Sequence, residues 1–152
     1  MGKGVIYMKK ILVPIDGSEY SIAAVKEAKK YAEAFSSEIV LLTVANYNVY
    51  IGPDLTGVVV DIEQFTYHAK TEAENNLAKA KEALGDLAAK AETVLLYGDP
   101  ADQIIDYLEK SDADLVVMGS QGMGFSAAKR LFVGSVTFKV LHNSSKPVLV
   151  VK

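Results

Sequence analysis

The chain has 152 residues, half of them hydrophobic, enough to bury one substantial core and consistent with a single domain. Lys and Arg total 16 against 19 acidic residues, so the net charge of -3 supplies no broad attraction to nucleic acid or to an anionic membrane, and any phosphate binding must be local. Cysteine is absent, which excludes disulfides, thiolate metal sites and cysteine nucleophiles and is compatible with a reducing cytosol.

Met1 to Tyr7 is too short and too polar for a signal peptide, and no apolar run approaches a membrane span, so the expectation is a cytoplasmic protein. Met8 stands directly before Lys9-Lys10-Ile11-Leu12-Val13. Residues 1–7 therefore read as a flexible leader or an early start, and residues 8–152 as the domain. Lys10 to Ile15 is apolar and β-branched and runs into Asp16-Gly17-Ser18, a buried strand ending in a turn. Either Ser18 or Asp16 can cap the helix that follows, in which Ile22, Val25, Ala28, Ala32 and Phe35 recur at helical spacing.

Glu38 to Val44 is a second near-continuous apolar strand, as expected where both faces of a sheet are covered. Ala45 to Val60, broken by Asn46, Asn48, Gly52, Pro53 and Gly57, reads as an irregular connection. Its Tyr47 and Tyr50, with Tyr67 beyond it, could border a pocket, although packing over the connection is the plainer role. Ile62, Phe65, Ala69, Ala73, Leu77, Ala80 and Leu84 mark a long helix that fades at Gly85-Asp86 or a turn later. Thr93 to Tyr97 is a third strand. Gly98-Asp99-Pro100-Ala101-Asp102 then gives a glycine exit, an Asp cap, proline at the first helical position and an acid in the first turn. A helix through Ile104, Ile105 and Leu108, a strand from Asp114 to Met118, a helix from Val136 to Leu141 and a strand from Lys146 to Val151 complete the chain. Strands alternating with helices in this way imply a parallel sheet with helices on both faces, and such folds bind ligands beyond the carboxyl ends of the strands.

The strongest chemical signal follows the fourth strand: Gly119-Ser120-Gln121-Gly122-Met123-Gly124, then Ser126 and Lys129-Arg130, leading to Gly134-Ser135 at a helix start. Glycines let backbone amides approach a ligand, and a helix N-terminus adds free N–H groups, so the stretch reads either as an anion site or as a chain reversal. Ser120, Gln121, Ser126 and Ser135 supply donors around it. Lys129 and Arg130 either screen phosphate or form a solvated face. Asp16 could bond a ribose or adenine edge, hold a metal, or cap its helix. No P-loop and no Gly-x-Ser-x-Gly elbow is present, and neither His68 nor His142 has a partner at metal spacing. At the chain end, Val148 to Val151 would expose unpaired backbone if it lies at a sheet edge. Pairing with the same strand of a second copy would cover it, as would loops of the chain itself.

From Met8 onward the chain resembles the universal stress protein family. Lys10-Ile11-Leu12-Val13-Pro14-Ile15-Asp16-Gly17-Ser18, Gly98-Asp99-Pro100-Ala101, Asp114 to Ser120, Gly134-Ser135-Val136 and Lys146 to Val151 carry the resemblance. It implies a Rossmann-like α/β fold, an open five-stranded parallel sheet of order 3-2-1-4-5 with helices on both faces. It also implies a homodimer through the last strand (residues 147–151) and a role in the stress response. The ATP-binding branch of that family spaces its glycines as Gly-x2-Gly-x9-Gly-Ser/Thr. Gly119, Gly122 and Gly134-Ser135 match, but eleven residues separate Gly122 from Gly134. The two added residues either bulge outward and leave a phosphate cradle intact or close it. By resemblance, Pro14, Asp16 and Val44 border adenine and ribose, while Met118, Gly119, Gly122, Gly134, Ser135 and Val136 border the ribose and phosphates. The ligand expected is ATP or another adenine nucleotide, accompanied by Mg2+ or Mn2+ where an ion is bound. Three functions follow as alternatives: nucleotide-dependent interaction with an unidentified protein partner, a nucleotide-free dimerisation module, or a slow nucleotide hydrolase using Asp16. No placed general base or arginine finger supports fast turnover.

Overall fold

Successive residues of a strand face opposite ways, and in β1 (Lys10–Ile15) both directions are apolar. Ile11, Val13 and Ile15 enter one buried cluster and Leu12 enters another. A central strand with a core on each side follows, and the computed structural model, which describes residues 7–46, 62–123 and 132–152, has this arrangement. Residues 1–6, the stretch carrying Tyr47 and Tyr50, and the loop positions Gly124, Ser126, Lys129 and Arg130 lie outside the described residues.

In chain order the elements are β1, α1 (Glu19–Phe35), β2 (Glu38–Ala45), α2 (Ile62–Leu84), a 3-10 segment (Gly85–Lys90), β3 (Glu92–Tyr97), α3 (Pro100–Lys110), β4 (Leu115–Gly119), α4 (Ser135–Asn143) and β5 (Val148–Val151). The five strands form one parallel sheet in the order β3-β2-β1-β4-β5, as expected. α1 and α2 cover one face, burying Ala24, Val25 and Ala28 with Leu77, Ala80 and Leu84. On the other face lie α3 and α4, through Ile104, Leu108 and Val140. Among the described residues no helix is long and apolar enough to cross a membrane.

Local chemistry sets the helix starts. Ser18 is the N-cap of α1 and accepts from the Ser21 amide, and Asp99 caps α3 by accepting from the Asp102 amide, with Pro100 in the first turn. That amide, followed by the Lys139 ammonium, holds the Asp99 carboxyl below its usual range. Lys139 also bonds Asp102 at 2.7 Å, tying α4 to the start of α3.

The helix faces depart from expectation at two places. Phe35, expected on the buried stripe of α1, is 48% exposed. It is the last helical residue, and Ser36 turns into the left-handed region (φ 57) directly after it, carrying the chain off the sheet. In α2 the buried residues are Ala73, Leu77, Ala80 and Leu84, all in the second half, whereas Ile62 and Phe65 are exposed. The helix has 23 residues, about 35 Å, against about 20 Å for a six-residue strand, so its first turns overshoot the sheet.

Candidate functional site

The sheet opens where its strand order reverses. β1 pairs with β2 from Lys10 as far as Ile15, but with β4 only through Ile11 and Leu12. The reason is readable in β1. The Lys9 carbonyl accepts from Glu38 of β2 and the Lys10 carbonyl from Asp114 beside β4, so by alternation the backbone of residue 14 faces β4. Residue 14 is proline, which has no N–H to offer there. β1 and β4 therefore part at their carboxyl ends.

A cavity of about 690 Å3 occupies that crevice. All nine residues expected at a site line it: Pro14 and Asp16 after β1, Val44 in β2, Met118, Gly119 and Gly122 at the end of β4, and Gly134, Ser135 and Val136 at the start of α4. Pro100 and Ile104 of α3 also line it, as do Gln121 and Thr137. The α3 contribution was legible only indirectly, since a helix that begins at the carboxyl end of a strand must start beside this crevice.

The glycine loop and α4 meet despite the two additional residues. The Gly134 amide donates to the Ser120 carbonyl at 2.8 Å, and a Cβ placed on Gly134 would lie 3.6 Å from the Gly122 nitrogen. The Thr137 hydroxyl donates to the Gly119 carbonyl at 2.8 Å, pinning the first turn of α4 onto β4. The N-cap of α4 is Gly134, which brings no side chain to cap it, and the Phe138 amide is the first to find a carbonyl within the helix, that of Gly134. The Ser135, Val136 and Thr137 amides precede that ladder and carry the positive end of the helix dipole.

Asp16 does not cap α1 directly, since Ser18 does. Its Oδ1 accepts from the Ser18 amide and hydroxyl, and its Oδ2 accepts from the Met123 amide at 3.2 Å. One carboxylate thus fixes the turn after β1 and reaches across the crevice to the glycine loop. Gly122 leaves room for it: a Cβ there would come within 2.8 Å of Oδ2. Gly119 has a further duty that spacing alone did not reveal, because a Cβ on it would lie 2.6 Å from the backbone of Tyr20 in α1. Of the aromatic and basic candidates, Tyr67 is exposed, with the His68 ring edge-on at 6.1 Å, and His142 stacks on Phe138 at 4.9 Å in the last turn of α4. None of the three lines the cavity.

Strand order, helix placement and a crevice at the reversal point define an open, doubly wound α/β protein of Rossmann-like topology. Within that class the chain belongs to the universal stress protein family, whose model matches residues 8–152. Universal stress protein MJ0531 of Methanocaldococcus jannaschii is 35% identical over 144 residues, 95% of this chain and 82% of that protein. The fold matches that of universal stress protein UspA from Lactobacillus plantarum with a TM-score of 0.80 at 26% identity, covering 97% of this chain and 99% of that one. A universal stress protein from Archaeoglobus fulgidus, solved in complex with dAMP, shares the fold with a TM-score of 0.65 at 22% identity, over 97% of this chain and 100% of that one.

Proposed function

We propose that this protein binds ATP or a related adenine nucleotide in the crevice between β1 and β4, and acts in the stress response through interactions that depend on the bound nucleotide. The observation that carries the reading is the first turn of α4, whose N-cap glycine has no side chain to cap it, held beside Gly122 at the rim of a cavity large enough for a nucleotide. In this reading Pro14, Asp16 and Val44 border the base and ribose. Met118, Gly119, Gly122, Gly134, Ser135 and Val136 border the ribose and phosphates. Asp16 is the single carboxylate among the described lining residues, and its oxygens already accept from Ser18 and Met123. Mg2+ or Mn2+ would therefore come with the phosphates rather than sit in a protein-only site. The arrangement suits binding better than turnover. The relative solved with dAMP makes adenine nucleotides the first ligands to try.

Thermal unfolding with and without nucleotide tests this. ATP at about a hundred times its Kd should stabilise the fold by about 2.7 kcal/mol, a rise in midpoint of about 5–10 °C for a domain of this size. Mass spectrometry of small molecules released on denaturation should find an adenine nucleotide. No shift with any adenine nucleotide and no released ligand would overturn the reading and leave a nucleotide-free interaction module.

The same reading places residues 8–152 in one cytoplasmic domain that pairs with a second copy through β5. β5 is a sheet edge, and its four residues are all only partly buried. Because Pro147 and Val151 direct their carbonyls toward β4, alternation turns the backbone groups of Val148 and Val150 outward. Val150→Pro removes one outward N–H without touching the β4 ladder, so sedimentation should find the wild type dimeric and the variant monomeric and folded. A monomeric wild type would refute the pairing.

A further inference from the structure

We propose that Gln121 is a positioning residue for the phosphate end of this site: its amide straps the two stems of the glycine loop together, so that the first-turn amides of α4 face Gly122. The phosphate role rests on the nucleotide reading above; the strap itself is a feature of the fold.

Gln121 lies between the end of β4 and Gly122, lines the cavity, and is 7% exposed. Its Nε2 donates to the Phe132 carbonyl at 2.7 Å, across eleven positions of chain. Two residues further on, the Gly134 amide donates back to the Ser120 carbonyl at 2.8 Å. One bond runs from the first stem to the second and the other returns, so the stems are locked whatever the length of chain between them. This explains how eleven residues can separate Gly122 from Gly134 while the two glycines remain adjacent.

The second polar atom of the same side chain argues that the fold alone does not account for the glutamine. Among the described residues, Gln121 Oε1 is buried with no hydrogen-bond partner. A buried carbonyl oxygen left unpaired destabilises the native state, and an apolar side chain of the same length would fill the space without that penalty. Departures of this kind gather where a site needs geometry more than stability. What the amide supplies and an apolar chain cannot is the N–H aimed at Phe132, which holds the second stem against the first.

Two near-isosteric variants test the strap. Gln121→Leu and Gln121→Met both remove the donor and the orphaned acceptor without adding a charge to the site. In the protein without added ligand, hydrogen exchange of the Gly134 amide should be about tenfold faster in both variants. Titrated calorimetrically, both should bind ATP about tenfold more weakly while adenosine, which lacks the phosphates, changes by less than about twofold. The melting midpoint of Gln121→Met should stay near that of the wild type. Unchanged Gly134 exchange, or equal weakening of ATP and adenosine, overturns the proposal, the latter because it is the mark of general loosening. If the wild type binds neither compound and Gly134 exchange still accelerates, the strap stands and the nucleotide reading falls.

Discussion

Gly119→Ala should destabilise the protein by about 3 kcal/mol, lowering its melting midpoint by about 10 °C, although it adds a single methyl group. The new Cβ would lie 2.6 Å from the carbonyl carbon of Tyr20 and 2.7 Å from its oxygen, closer than real Cβ atoms come. What it meets is backbone in the first turn of α1, which no rotamer change can move aside. That turn is held by Ser18, whose side chain caps the helix and whose hydroxyl and amide both donate to Asp16. The helix would have to shift as a unit against a sheet packed on both faces, and close-packed interiors resist such shifts. Gly122→Ala is the control. Its Cβ meets the end of the Asp16 side chain at 2.8 Å, which can rotate away, so about 1 kcal/mol is expected. Urea unfolding of the two variants gives the comparison. Equal midpoints would mean that α1 and β4 are not in backbone contact at Gly119.

The same glycine marks how far sequence reasoning reaches. The sheet was legible because a strand covered on both faces must be apolar in every register, as Ile11 to Ile15 and Ile39 to Leu42 are. The start of α3 was legible because its capping chemistry lies within five consecutive residues, Gly98 to Asp102. The nine candidate residues, named from the family resemblance, line one crevice, since strand ends in this topology converge there. What spacing does not carry is the reason for each glycine. Gly119 and Gly122 look alike in a motif, yet one makes room for Tyr20 on another element and the other for Asp16 across the crevice. The splay of β1 from β4 at Pro14, the strap from Gln121 to Phe132 and the overshoot of α2 depend likewise on partners remote in the chain. Local periodicity contains no information about them.

Gly122→Val and Gly134→Val should each weaken ATP binding more than about a hundredfold, a loss of about 2.7 kcal/mol or more, while leaving a folded protein. At Gly122 the valine would force the Asp16 carboxylate off the Met123 amide and place two methyl groups where the loop faces the start of α4. At Gly134 the backbone (φ -60, ψ 155) suits any residue, so the substitution adds no dihedral strain. The added Cβ, however, would sit 3.3 Å from the Gln121 Cα and 3.6 Å from the Gly122 nitrogen, within the gap that a phosphate oxygen would bridge. Both variants therefore attack one point from opposite walls by steric means, and neither removes a charge. A shared loss of affinity would locate the phosphates between those walls. Calorimetric titration with ATP, alongside far-UV circular dichroism and sedimentation to verify the fold and its assembly, makes the measurement. Wild-type affinity in both variants would place any nucleotide elsewhere and return the crevice to the status of a packing defect between β1 and β4.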